Sequence, residues 1–258
     1  MIKLSLIAVL LVGAAGALLG NAVEIGSTPA TVLLELFTSE GCSSCPPADR
    51  LLETLDRTHS IAGTDVIVLS EHVDYWDRLG WRDPFSSPQF SARQYDYSRR
   101  FGLDGVYTPQ LVVDGRIQLV GSDRSGATAA IDRARHEQKI GVVISNLART
   151  GTQVTAHIGL TAKQSQINAR TAALYVALAD NRDESQVARG ENAGRALAHV
   201  AVVRSLTQIG TIGLDSPFAR DVTVSSGPGV GTNGLRLVAF LQDPVSGQIL
   251  GAALQKLQ

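Results

Sequence analysis

Apolar positions fall into two different patterns along the 258 residues. Thr31 to Phe37, TVLLELF, is a continuous apolar run broken by one acid, Glu35, and Asp65 to Ser70, DVIVLS, is a second. Such runs suit strands covered on both faces, as in a parallel sheet. Between them Leu51, Leu52 and Leu55 recur at helical spacing over Asp49 to Thr58. Residues 31–70 therefore predict a β-α-β unit with a right-handed crossover. A polar-aromatic excursion follows from Glu71 to Phe90, punctuated by Gly80, Pro84 and Pro88, and long excursions are frequently functional. Ser91 to Phe101 predicts a helix stopped by Gly102. Gln110–Val113 and Ile117–Val120 flank Asp114-Gly115, a hairpin turn. Ser125 to about Lys139 predicts a last helix, with Ala127, Ala130, Ile131 and Ala134 as its apolar positions.

The pattern then changes. From Val142 to Leu257 short apolar stretches alternate with turn residues: VVISNL, QVTAHIGL, ALYVALAD, LAHVAVVRSL, DVTVSS, RLVAFLQD and QILGAALQKL. Seven strands with little helix predict a β-sandwich, and a domain boundary falls near residue 140. In this part Asn181 to Arg195, polar and carrying Gly190 and Gly194, is a candidate contact surface, and His199 reads as a packing residue on one strand face.

The first residues have the anatomy of a secretory signal peptide: Lys3, an apolar run from Leu4 to Leu19, then Gly20 and Ala22 before Val23. The rival reading is an uncleaved anchor, for which the run is short of the roughly 20 residues a span needs. The expected organisation is residues 1–22 as signal peptide, then 23–140 and 141–258 as two domains of an exported, periplasmic or secreted protein with no membrane segment after cleavage. Lys and Arg number 23 against 24 Asp and Glu, scattered along the chain, which excludes a nucleic-acid partner and an anionic membrane surface. Hydrophobic residues make up 44%, ample for packed cores.

Export permits disulfides, and the chain has two cysteines, Cys42 and Cys45, in TSEGCSSCPPADRLLETL. They make one short bridge, one redox pair, or half a metal site. A thiol attacks as its thiolate. Cys42 opens a predicted helix, where free N–H groups and the dipole stabilise negative charge. It reads as an exposed nucleophile and Cys45, about one turn on, as the resolving thiol. Pro46 and Pro47 fit the first helical turn, where a missing N–H costs nothing.

On these residues the chain resembles the thioredoxin superfamily. The matching parts are TVLLELF, the C-x-x-C of Cys42-Ser43-Ser44-Cys45 opening a helix, the next strand, and VYTPQLVVDG, in which Thr108 and Pro109 stand where that superfamily has a residue and a cis-proline facing the cysteines. The resemblance covers about residues 30 to 140. More narrowly it is to secreted bacterial thioredoxin-like proteins of unassigned function with a C-terminal β-rich part. It implies an α/β thioredoxin-like domain followed by an all-β sandwich-like domain. It also implies a catalytic Pro109 and a Thr108 backbone that pairs with substrate. Gly41 replaces the aromatic residue that often precedes the first cysteine, and Ser-Ser is not the usual dipeptide, so direction of electron flow does not carry over.

Glu35 sits close to where thioredoxins keep a buried carboxylate. It reads either as a general base for Cys45, its pKa raised by burial, or as a strand-end acid facing solvent or bonded to a backbone N–H. EHVDYW follows the C-terminal end of the second strand, an edge that ligands favour. His72, Asp74, Tyr75 and Trp76 there either line the approach to the thiols or anchor the loop. Three functions are weighed. The first is thiol–disulfide exchange without a cofactor, acting on a protein or small-molecule disulfide or dithiol and recycled by an unidentified redox partner. The second is Cu(I) binding by Cys42, Cys45 and His72. The third is a binding or assembly protein with a static Cys42–Cys45 bridge.

Overall fold

The computed structural model describes residues 31–257 apart from 59, 62, 162–166, 228, 229, 232 and 233; the predicted signal segment lies outside the described residues. In chain order the elements are β1 (Thr31–Thr38), α1 (Pro46–Thr58), β2 (Ser60–Ile61), β3 (Thr64–His72), α2 (Pro88–Phe101), β4 (Gln110–Val113), β5 (Ile117–Val120), α3 (Arg124–Ala134), β6 (Val142–Thr150), β7 (Gln153–Leu160), β8 (Thr171–Gln186), β9 (Ala196–Gly213), β10 (Ala219–Ser225), β11 (Leu235–Gln242) and β12 (Ile249–Leu257). Among the described residues no helix is long and apolar enough to cross a membrane.

The expected pair of folds, an α/β thioredoxin-like domain followed by a separate all-β sandwich, does not form. Strands from both sides of residue 140 share one mixed nine-stranded sheet, ordered β12-β11-β8-β9-β3-β1-β4-β5 with β2 paired to β3. The join is a parallel contact of β3 with β9 at Ser70 and Val202. It covers the edge that β3 would otherwise leave open, which a protein must protect in some way. β8 and β9 are 16 and 18 residues long, well beyond ordinary sandwich strands, and reach from the C-terminal layers to the N-terminal ones. A second sheet, β10-β7-β6, is antiparallel. Its Val154, Ile158, Val222 and Val224 pack on Leu174, Val176 and Leu237 of the large sheet.

β1 is buried along seven of its eight residues because both its faces are covered. Leu34 and Leu36 face α1 and α3, packing with Leu51, Leu52 and Ile131. Leu33 and Phe37 face the other way, toward Phe90 and Tyr97 of α2. The β1–β3 pair is parallel and in register from Thr31 with Asp65 to Thr38 with His72. Their C-terminal ends, and the N-terminus of α1, therefore open on one edge.

The predicted hairpin turn at Asp114-Gly115 is a fastening point. Both residues have positive φ, which suits Asp and Gly. The Asp114 carboxylate accepts from Leu33 N at 2.9 Å and from Lys139 Nζ at 2.6 Å. Gly115 lies so close to Gly247 that a Cβ there would come within 1.9 Å of the Gly247 carbonyl oxygen. A second fastener ties α1 to the C-terminal strands: Arg236 of β11, 1% exposed, donates to both oxygens of Asp56 at 2.6 and 3.1 Å and to Asn181 Oδ1 at 2.8 Å.

Candidate functional site

Cys42 and Cys45 form a disulfide in the loop between β1 and α1. The loop is a succession of tight turns: Cys42 N donates to Ser39 O at 3.2 Å and Cys45 N to Cys42 O at 3.2 Å. Cys45 then caps α1, its carbonyl accepting from Ala48 N and Asp49 N at 2.8 and 3.1 Å. Pro46 and Pro47 fill the first two helical positions, so they present no N–H to an anion. The donor beside Cys42 is instead a side chain: Ser44 Oγ lies 3.2 Å from Cys42 Sγ. Cys42 is not exposed as expected. Both cysteines are fully buried, while Ser43 and Ser44 between them face solvent.

Thr108 lies against this loop. The Thr108–Pro109 peptide is cis, Pro109 is buried, and Ser44 Oγ donates to Thr108 O at 3.4 Å. Trp76 reaches the same place, with Nε1 donating to Thr108 Oγ1 at 2.8 Å. Its Cβ would sit 3.0 Å from any Cβ added at Gly41, which accounts for glycine before the first cysteine. Gly121 closes the underside, since a Cβ there would come within 3.0 Å of both Ala48 and Pro109. Thr108, Pro109 and Trp76 thus assemble around the cysteine loop. Tyr75 stands at the edge of the same group: its hydroxyl hydrogen-bonds with Thr108 and donates to Gln94 of α2 at 3.0 Å, which ties the excursion to that helix.

Glu35 also lies elsewhere. It alternates with Leu34 and Leu36, so it projects on the α2 face, away from α1. There Arg93 Nε donates to it at 2.5 Å and Tyr97 OH at 2.5 Å. Glu71, beside it and fully buried, has its pKa pushed well up by burial and by the Glu35 charge. Glu35 is an anchoring acid for α2 in this geometry and is not brought to the thiols.

A different carboxylate lies on the first turn of α1, just after the cysteines. Asp49 stands one helical turn after Cys45, hence on the same side of α1. Thr38 Oγ1 donates to it at 2.9 Å, and His199 Nδ1 lies 3.8 Å away. His199 Nε2 lies 3.3 Å from Glu40, whose carboxylate also receives Trp81 Nε1 at 2.7 Å and the Ser185 hydroxyl. The His199 ring meets His72 edge-on, with centroids 4.7 Å apart. His72 Nδ1 is 2.7 Å from Asp83, and Asp83 also accepts from Glu40 N at 2.9 Å. His72, Glu40, Asp49, Asp83 and His199 are all nearly or fully buried. His199 packs as a buried ring, edge-on to His72 and Phe85, with the Glu40 and Asp49 carboxylates 3.3 and 3.8 Å from its nitrogens. Burial works to lower the His72 pKa, but the Asp83 carboxylate outweighs it and the net shift is upward. Asp83 moves the opposite way, held down by His72 against its own burial. Among the described residues no group of three or more His, Cys, Asp or Glu is arranged to hold a metal ion, and the two sulfurs are bonded to each other.

Burial raises the pKa of Asp49, with His199, His72 and Thr38 offsetting part of the effect. A carboxyl whose folded pKa exceeds its ordinary 3.8 contributes stability when protonated and loses it as pH rises through the folded value. Asp49→Asn keeps an acceptor for Thr38 and removes the buried charge. We expect a higher unfolding temperature than wild type near neutral pH and no gain below about pH 3. A variant less stable at neutral pH contradicts this assignment.

The Asn181 to Arg195 stretch, expected as an outward contact surface, divides. Its first residues continue β8, and its tip turns back on the cysteine loop. Asn192, fully buried, donates from Nδ2 to Glu40 O at 2.8 Å and to Cys42 O at 2.9 Å. Glu191 accepts from Ser43 N at 2.9 Å.

Residues 33–242 match the model of a family described as protein of unknown function, DUF1223. This match spans most of the sequence, and the chain belongs to that family. A crystal structure of a protein from Agrobacterium tumefaciens is similar, at 28% identity and TM-score 0.66, over 90% of this chain and 98% of that one. HBP35 of Porphyromonas gingivalis has the same fold at 17% identity and TM-score 0.68, over 90% of this chain and 76% of its own. No curated protein matches.

Proposed function

We propose that this member of the DUF1223 family is an exported thiol–disulfide oxidoreductase whose reactive centre is the Cys42–Cys45 pair. The observation that carries the reading is the placement of the disulfide. It opens α1, has the Ser44 hydroxyl at 3.2 Å from Cys42 Sγ, and faces the Thr108 carbonyl through the same hydroxyl. That local layout resembles thioredoxin-superfamily sites, in which a proline-preceded loop meets a C-x-x-C. The bridge is also a weak staple. It closes a loop of only four residues, 42–45, for which the chain-entropy estimate is about 2 kcal/mol, against roughly 3 for a fifteen-residue loop.

The reaction follows from the groups present. In the reduced protein the Cys42 thiolate, with Ser44 donating to it, attacks one sulfur of a substrate disulfide. A mixed disulfide forms and the substrate's other sulfur leaves as a thiolate. Cys45 gives its proton to Asp49, the carboxylate one helical turn on, which Thr38 Oγ1 holds at 2.9 Å. The Cys45 thiolate then attacks Cys42 Sγ and expels the second substrate thiolate. The substrate gains two electrons and the protein holds the Cys42–Cys45 disulfide. Run backwards, the same steps oxidise a dithiol. Thr108 and Trp76 border the place where the substrate sulfur arrives, and the Thr108 backbone is its pairing edge.

One observation favours a second reading. Full burial of both sulfurs suits a static bridge in a binding protein. The two readings separate in an insulin-reduction assay driven by dithiothreitol. The oxidoreductase reading expects the protein to accelerate precipitation of the reduced chains above the dithiothreitol background, and Cys42→Ser to remove the acceleration. A wild-type rate equal to the background sinks it.

A further inference from the structure

We propose that Glu191 and Asn192, at the tip of the β8–β9 hairpin, are positioning residues of the cysteine pair: Asn192 fixes the backbone of the loop, and the Glu191 carboxylate opposes negative charge on Cys42. The proposal rests on the oxidoreductase reading for its meaning, but its test does not depend on exchange activity.

The tip is a closed, well-seated turn. Val187 N donates to Arg195 O at 3.0 Å, Gly194 N to Val187 O at 2.8 Å and Ala193 N to Gly190 O at 3.2 Å. Val187 is buried at its root, and Gly190, at φ 78°, lies against Trp81, which a Cβ would approach to 3.2 Å. Asn192 uses both ends of its amide. The NH2 group bridges two carbonyls of the cysteine loop, Glu40 O and Cys42 O, and Oδ1 accepts from Arg195 at 2.9 Å. A wholly buried asparagine at a hairpin tip, 150 residues from the cysteine it holds, has no packing reason to be polar. Its partners are the backbone of the reactive loop.

Glu191 acts differently. It is exposed and takes the Ser43 N–H, a donor within the C-x-x-C itself. Hydrogen bonds from Ser43 hold its carboxyl below the usual range, so it is charged at neutral pH. A thiolate on Cys42, the preceding residue, forms beside a fixed negative charge and without that donor. The other charges around the loop are known. Arg50 and Arg195 line a groove of about 350 Å³ beside Ser43 and favour the thiolate. Glu40, Asp49 and His199 lie behind the loop, with the His72–Asp83 pair beyond them. Glu191 is the charge in this set that can be neutralised without breaking a buried contact, because a glutamine oxygen accepts from Ser43 equally well.

The test is a pH titration of thiolate ultraviolet absorbance on the full chain, reduced with dithiothreitol and then freed of it. Glu191→Gln is expected to increase the Cys42 thiolate fraction about threefold to fivefold at a pH below the wild-type midpoint, and the difference is expected to close in about 1 M salt. Asn192→Ala releases the tip that carries Glu191 and is expected to shift the midpoint the same way, and the double variant no further than the larger single one, since in either variant the Glu191 charge no longer stands against Ser43. Superimposable wild-type and Glu191→Gln curves at low salt overturn the proposal, as does a shift that survives high salt. Glu191 is exposed, so its variant keeps the test decisive if Asn192→Ala fails to fold. A wild type that never equilibrates with glutathione counts against the oxidoreductase reading and leaves this titration to decide its own question.

Discussion

Cys45→Ser is expected to leave the protein covalently joined to its substrate through Cys42. Removal of the resolving sulfur stops the sequence at the mixed disulfide, because no second thiolate stands within the loop to expel the substrate. Incubation of the variant with a disulfide substrate is expected to yield close to one adduct per chain, visible as a mass increase that dithiothreitol reverses. The wild type is expected to show only a small steady-state amount. Cys42→Ser is expected to give no adduct, because Cys45 is the cap of α1, directly followed by Pro46, while Cys42 has the hydroxyl donor. The serine introduced at 45 sits at a fully buried position, where an unsatisfied hydroxyl costs about 1–3 kcal/mol. A folded Cys45→Ser protein without adduct, or an adduct on Cys42→Ser, contradicts the assignment of Cys42 as nucleophile.

The second large effect concerns stability. Arg236→Ala is expected to cost about 3–5 kcal/mol, because it strands the Asp56 carboxylate in a buried site with its partner gone. Arg236 is 1% exposed and makes the bidentate contact that joins β11 to α1. Replacing both partners by apolar residues of similar volume, Arg236→Met with Asp56→Leu, is expected to recover most of the loss, since the penalty comes from the unpaired charge. Urea unfolding measures both. A single-variant loss under about 1 kcal/mol would place the pair among ordinary surface bridges. The pair matters for function because α1 carries Cys45 and Asp49 at its start and Asp56 near its end. The C-terminal strands therefore hold the helix that holds the site.

Individual elements were legible in the sequence because their signals are local. The apolar run at 31–37, the leucine spacing after Cys45 and the Asp114-Gly115 turn each specify their own structure. The architecture was not. β3 meets β9 through a parallel contact whose registered pair is Ser70 with Val202, and no local pattern marks it. The stretch LAHVAVVRSL reads as an ordinary strand, yet β9 runs on to Gly213 because β8 pairs with it along its length. The same distinction runs through the site. Cys42, Cys45, Thr108 and Pro109 stand out through motif spacing, and they meet. Glu35 stands out as a lone acid in an apolar strand, but strand alternation sends it to Arg93 and Tyr97 on the far face. Asp49, four positions after Cys45, was recoverable from helical periodicity alone. Asn192, Glu191 and His199 were not, because they arrive from far along the chain.

The central claim is that the Cys42–Cys45 disulfide is exchangeable. The direct measurement is the fraction of oxidised full-length protein across a series of glutathione redox buffers, read by mass after acid quenching and alkylation. The account predicts a reversible two-electron transition at a potential above about −300 mV, the same whether approached from the reduced or the oxidised side. A disulfide that stays intact in the most reducing of these buffers, with a potential below about −300 mV, contradicts it.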